Sequence, residues 1–334
     1  MTTGQNPNPT LNDVARLAGL SLSAASYALR GARNIPPATA ERVKAAAKIL
    51  GYRANPRVTE LMTHIRRGQP VARGERIAFI WSDAPWKERS FQPFFQGVQA
   101  RAAELGYGIE EFWLEEPGMT PIRLANILRS RGITGLILSP LHYNSHFELG
   151  WDWSLFSAAI LGNAACTPEL HRAGHHHYLG MRMALEKLME QGCRRIAALL
   201  DPAINDRAKR AWSASFLEHH PDRERSRAYL RFDSDPRKTP LLAWLKKIRA
   251  DALVCCTPIA KQLCPANSNR CGGRRIAVLD RNTSGSRWDG VEQGEVVMGE
   301  QAIDLVAGQL THNERGAPQH PKMLLFPGIW VQGM

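Results

Sequence analysis

The chain has 334 residues, 44% hydrophobic, 22% charged and 7% aromatic, enough apolar material for a large core and too much for a disordered polymer. No run approaches the ~20 apolar residues of a membrane helix, and the first ten residues are polar unlike a signal-peptide core, which points to a cytoplasmic protein with no membrane partner. The formal net charge is +12, and residues 1–70 hold 10 Lys/Arg against 3 Asp/Glu, so they carry +7 and leave +5 to the remaining 264. A basic terminal module on a nearly balanced body suits a phosphate backbone, with a solvated basic face as the bland alternative.

Residues 1–9 are expected to be disordered. Thr10 and Asp13 have capping-box spacing, and Leu11, Val14, Ala15 and Ala18 recur at i, i+3, i+4, i+7, predicting a short helix that stops at Gly19. Ser21 caps a second helix over 22–29, with Ala25, Ala28 and Leu29 inward and Leu22, Ser23, Ser26 and Tyr27 outward. A third helix starts near Pro37, repeats Val43, Ala46, Ala47 and Leu50, and stops at Gly51. Three short helices with a tight Gly19-Leu20 turn describe a helix-turn-helix module over 10–54.

Thr10 through Ser21, then Ser26, Asn34, Thr39, Arg42-Val43, Gly51-Tyr52 and Asn55, resemble the DNA-binding headpiece of the LacI/GalR transcription regulators, ungapped over some fifty residues. The resemblance implies a homodimer on a pseudo-palindromic operator in double-stranded DNA, most simply as a repressor. Thr10, Ser21, Ser26, Asn34 and Thr39 are short polar side chains able to hydrogen-bond phosphates; the resemblance gives base reading to Leu22, Ser23 and Tyr27 and counts Leu11, Arg30, Tyr52 and Asn55 among the DNA-binding residues. Tyr27 departs from the family's usual Arg. A phenol offers one hydroxyl and an apolar ring where a guanidinium pairs bidentately with guanine.

Residues 55–74 read as a hinge. Asn55-Pro56 is a cap and first turn, and Val58, Leu61, Met62 and Ile65 form one apolar stripe before Gly68. At about three turns the helix is too short to persist alone in water. The resemblance supplies its cover: two symmetry-related hinge helices in the minor groove, with Leu61 as the wedge between base pairs.

From 75 to 334 short apolar runs alternate with helical patterns. Strands are expected at 77–81, 109–114, 136–139, 157–161, 196–200, 252–256 and 276–280, with helices at 95–105, 123–131, 179–191, 207–216 and 241–249. This predicts two α/β lobes built on parallel sheets, similar to the periplasmic-binding-protein-like (type I) core of the same family. Lobe 1 is expected at about 75–161 and 291–320, and lobe 2 at about 162–290 and 321–334. A small-molecule effector, plausibly a carbohydrate, would lie in the cleft at the strand ends. The candidate contacts are Trp81, Asp83, Phe94, Asn205, Arg207, Trp212 and Asp280. The family's arginine three residues before a Gly-Phe pair falls on Ala208 here, with Arg207 one position away and Ala211-Trp212 in place of Gly-Phe.

Catalysis finds little support. There is no G-x-x-x-x-G-K-[ST], G-x-G-x-x-G or G-x-S-x-G, and the acidic pairs Glu110-Glu111 and Glu115-Glu116 have no defined opposing partner. The six cysteines lack C-x-x-C spacing and read as reduced structural thiols. His175-His176-His177, on a loop, cannot all face one metal ion and read as a solvated or interface cluster. No catalytic residue, cofactor or metal is expected.

Overall fold

The computed structural model describes residues 11–29, 35–50, 52, 75–82, 91–141, 146–235, 240–264, 270–281 and 287–333. They fall into two units, divided at Arg73 and Gly74.

In the first unit, α1 (Leu11–Leu17), α2 (Leu22–Leu29) and α3 (Pro37–Leu50) close on a core of small residues. Val14, Ala15, Ala25, Ala28, Val43 and Ala46 are buried, so the helix axes can approach closely where larger side chains would hold them apart. Gly19 takes φ +63°, the left-handed conformation that lets Leu20 N–H bond back to the Ala15 carbonyl and reverse the chain. The expected hinge over 55–74 lies outside the described residues.

The second unit runs β1 (Arg76–Trp81), α4 (Gln92–Glu104), β2 (Gly108–Trp113), α5 (Pro121–Ser130), β3 (Gly135–Leu138), β4 (His146–Glu148), β5 (Ser157–Leu161), β6 (Ala165–Thr167) and β7 (His171–His175). It continues through α6 (His177–Glu190), β8 (Ile196–Leu200), α7 (Pro202–Arg207), α8 (Ala211–His219), α9 (Ser226–Tyr229), β9 (Leu230–Phe232), α10 (Leu241–Lys247), β10 (Ala252–Cys255) and α11 (Thr257–Leu263). The chain ends with β11 (Arg270–Cys271), β12 (Arg274–Val278), β13 (Asp289–Glu292), α12 (Glu295–His312), β14 (Met323–Phe326) and β15 (Ile329–Val331).

Two sheets result. The first is parallel throughout, in the order β14-β7-β5-β3-β1-β2. The second has the order β15-β13-β12-β10-β8-β9, with β15 antiparallel to β13 and β11 antiparallel to β12. Each sheet is covered on both faces, as parallel sheets built from βαβ units must be, and each face has its own cluster of buried side chains. α12 packs on the first sheet beside α4, and the crossing is tight: a Cβ on Gly97 would strike the Val296 carbonyl, and one on Gly299 the Phe94 carbonyl.

Sheet membership differs from the expected division of the lobes. Residues 171–175 and 323–326, placed by the sequence in lobe 2, form β7 and β14 of the first sheet, and 291–292 close β13 of the second. The chain therefore crosses between lobes at 176, at 293–294 and at 327–328. Gly294 (φ +78°) and Gly328 (φ +75°) turn the second and third crossings. The expected helix over 207–216 is also two helices, because Lys209 (φ 53°) and Arg210 (φ 58°) leave the helical region between α7 and α8.

Candidate nucleic-acid interface and interlobe cleft

On the first unit, α2 presents its start to solvent. Ser21 Oγ accepts from Ala24 N–H at 3.2 Å and the Ser21 carbonyl from Ala25 N–H at 3.0 Å, fixing the helix start. Ser21 is exposed, Leu22 is 51% exposed and Tyr27 39%. No acidic residue stands in the first turn of α2 to offset the partial positive charge of its N-terminus.

The remaining headpiece candidates separate. Leu11 and Tyr52 pack against the small-residue core, where burial raises the Tyr52 phenol above its ordinary value, and Thr39 is half-buried in the first turn of α3. Thr10, Arg30, Asn34, Asn55 and Leu61 lie outside the described residues, as do the side chains of Ser23 and Ser26.

In the second unit the strand ends of both lobes meet around a polar junction. Ser139 Oγ accepts from Ser82 N–H at 3.0 Å, and Ser82 Oγ donates to the Pro140 carbonyl, fixing the ends of β1 and β3. From the other lobe, Arg207 at the end of α7 donates through Nη1 to the Leu141 carbonyl at 2.8 Å, a direct tie between lobes. Asp201 caps α7. Asp280 Oδ1 accepts from Thr257 N–H at 2.5 Å, while Thr257 Oγ1 donates to the Asp280 carbonyl.

Glu295, in the first turn of α12, faces this carboxylate electrostatically. Burial lifts the Asp280 carboxyl to about 6 against the pull of the Thr257 hydrogen bonds and of Arg207. Burial, with the negative charges of Asp280 and Glu292, lifts Glu295 to about 7. One guanidinium and two reluctant carboxyls can bind a neutral, hydroxyl-rich molecule by accepting and donating hydrogen bonds.

Of the six cleft candidates among the described residues, Arg207 and Asp280 stand at this junction. Trp81 is 2% exposed, turned into the first-lobe core against Phe79 and Phe95, with Nε1 donating to Glu111 at 2.8 Å. Phe94 packs in the same core. Asn205 is buried and spent on Ser213, donating to its Oγ at 3.1 Å and accepting from its N–H, a clasp that holds the α7–α8 corner. Trp212 is a core residue of the second lobe, set edge-on to His177. Aromatic side chains at these positions gain more by leaving water for the core than by lining an open cleft. Asp83 lies outside the described residues.

The sequence reading missed Glu295 and Thr257, which carry no local motif. It also misplaced the histidines. His175 ends β7, His176 caps α6 and His177 opens it. His175 is 3% exposed, and its ring is wedged at the first crossing against Gly180, Gly328 and Val291. Burial depresses it to about 4; the Phe326 carbonyl opposes this without reaching hydrogen-bond geometry, and the neighbouring His176 adds to it. His177 is lowered in the same way, first by burial and then by the charges of His175, Arg207 and His176. Among the described residues, no group of three His, Cys, Asp or Glu side chains could hold a metal ion.

A family model for bacterial regulatory proteins of the lacI family matches residues 10–55. The HTH-type transcriptional regulator CelR of Thermobifida fusca is 29% identical over 204 residues, 58% of this chain and 56% of that protein. The HTH-type transcriptional regulator GntR of Pseudomonas aeruginosa is 53% identical over 55 residues, 16% of this chain and 15% of that protein. The chain thus matches little more than half the length of CelR and about a seventh of that of GntR.

Among solved structures, a CelR–cellobiose complex superimposes with a TM-score of 0.56 at 19% identity, covering 97% of this chain and 98% of the other. The lac repressor dimer bound to operator and the anti-inducer ONPF gives 0.53 at 17%, covering 98% of each chain. At such identities these two likenesses concern the fold: the helix-turn-helix unit and the two parallel-sheet lobes. Residues 10–55 thus match the lacI family of bacterial regulatory proteins, and the two parallel-sheet lobes share the fold of these solved structures.

Proposed function

We propose that the protein is a sequence-specific DNA-binding transcriptional regulator, a repressor acting as a homodimer on a pseudo-palindromic operator, with its affinity set by a small carbohydrate in the interlobe cleft. The observation that carries the reading is the exposed start of α2: a serine-capped helix N-terminus on a compact core, flanked by Leu22 and Tyr27 and free of acidic residues in its first turn. The cleft reading rests on Arg207, Asp280 and Glu295. The cellobiose complex of CelR makes disaccharides the first ligands to test.

Selection of binding sites from a random duplex pool tests the first part. A two-fold symmetric consensus is expected, with Tyr27→Ala relaxing the preference at one base position per half-site while the salt slope stays nearly unchanged. Equal losses on selected and random duplexes would remove Tyr27 from base reading. Thermal shift against cellobiose, other sugars and sugar phosphates tests the second part, with Asp280→Asn as the control that abolishes the shift.

A further inference from the structure

The charge of the second unit is not evenly shared. Residues 177–292, nearly all of the second lobe, hold 22 Lys/Arg against 13 Asp/Glu, a net +9. The rest of the unit, 74–176 and 293–334, holds 10 against 15, a net −5. The near balance of the body is a cancellation between lobes.

Much of the positive charge gathers where the strands of the second sheet begin, at the opposite end from the cleft. Ala252 is in register with Ile196 on one side and Arg275 on the other, so Arg195 and Arg274, each one residue earlier, stand at the same level two strands apart. Arg270 lies directly opposite Arg275 across the β11–β12 hairpin. Arg249, at the end of α10, joins them: Arg195 Nε donates to its carbonyl at 2.6 Å, and Arg274 Nε to the Ala250 carbonyl at 3.0 Å.

The acids within this group are already committed. Asp251 accepts from the backbone N–H groups of Arg194 and Arg195, and Asp289 from Gln191 Nε2 and Gly333 N–H. Among the described residues, no carboxylate lies at ion-pair distance from Arg194, Arg195, Arg249, Arg274 or Arg275. Like charges gathered at one end of a sheet are destabilising, and five arginines with no carboxylate counter-ion among the described residues compound that cost. The hollow between Arg270, Arg275, Ile276 and Asp289 is about 60 Å³, too small for an organic ligand, which needs a cavity of at least ~300 Å³. What fits is a repeating anion lying across the surface.

We infer that this arginine-rich end of the second lobe is a duplex-binding surface, engaging the phosphodiester backbone of DNA without base preference, separately from the headpiece. Duplex DNA is the favoured polyanion because the surface presents guanidinium groups, Ile276 beneath them being buried, and guanidinium forks match phosphate oxygens. The inference goes beyond the operator reading and does not need it.

The test is the salt dependence of binding by the full chain to a random-sequence duplex. Arg249→Gln, Arg270→Gln and Arg275→Gln are combined, with the corresponding triple Lys protein as the charge-conserving control. The Gln protein is expected to lose about 2–3 from the slope of log K against log salt, at about 0.9 per phosphate neutralised, and the Lys protein to retain the wild-type slope. Unchanged melting temperatures show that the fold persists. Equal slopes for wild type and the Gln protein would overturn the inference, as would a charge-dependent loss confined to anionic phosphatidylglycerol vesicles, which would assign the surface to a membrane. Failure of the operator reading looks different: no selected consensus, with the slope difference intact.

Discussion

His175 makes the sharpest claim about energetics, because it is a titratable ring wedged at the first crossing between lobes. Its folded value of about 4 lies well below the ordinary 6.5, so the native protein keeps it neutral where the unfolded chain takes up a proton. The stability this contributes is complete above pH 6.5 and is lost as the pH falls toward 4. The separation of between two and three pH units corresponds to about 3 kcal/mol, of which about 2 kcal/mol is gone by pH 5. Asp280 and Glu295 titrate in the opposite sense over an overlapping range, so the wild-type profile alone is ambiguous. The difference from His175→Leu is not, since both carboxyls are present in each protein. The variant should equal or exceed wild type at pH 4.5 and lose its relative advantage by pH 7. All nine tryptophans lie in residues 81–330, so urea denaturation followed by tryptophan fluorescence reports on the α/β unit without interference from the headpiece. Parallel stability profiles for the two proteins between pH 4.5 and 7 would refute the buried, neutral His175.

Three further outcomes are expected. Leu61→Ala should weaken operator binding and reduce DNA bending, read by fluorescence transfer across a labelled operator; unchanged bending would remove Leu61 as a wedge. Gly97→Ala should destabilise the α/β unit by at least ~2 kcal/mol, because the added methyl meets the backbone carbonyl of Val296 where no side chain can yield; a melting temperature within a degree of wild type would contradict the close α4–α12 crossing. Glu295 is raised to about 7, so its favourable contribution is present below pH 4.5 and lost as pH climbs through 7. Glu295→Gln should match wild type at pH 4.5 and be the more stable protein at pH 8; denaturation at the two values decides it.

Elements whose burial follows from composition were legible. The runs 157–161 and 196–200 are continuous apolar stretches, and both are strands with the expected limits. β7 was not legible, because His-Arg-Ala-Gly-His reads as polar loop. It is nonetheless a buried strand: Arg172 Nη1 donates to the Gly162 and Ala164 carbonyls, and His171 Nδ1 accepts from Lys322 N–H. Polar side chains enter a sheet when partners from distant segments satisfy them, and no window of sequence contains those partners. The break at Lys209-Arg210 was hidden for a related reason: two non-glycine residues with positive φ are held there by the Asn205–Ser213 clasp, not by their own preferences.

The same logic applies at the cleft. Trp81, Phe94 and Trp212 suggested faces for a sugar, but each follows a strand or helix period into the core, where its area is best used. What remains at the junction is Arg207, held to the Leu141 carbonyl across the lobes, with Asp280 and Glu295, whose ionisation burial and mutual repulsion oppose. A ligand donating hydroxyls to Asp280 favours its charged form and lowers its pKa, so binding must release protons between pH 4 and 6. A ligand contacting only Arg207 has no such linkage to the carboxyls. Proton release on ligand addition, followed in weakly buffered solution, therefore separates a junction that uses its carboxyls from one that uses the arginine alone.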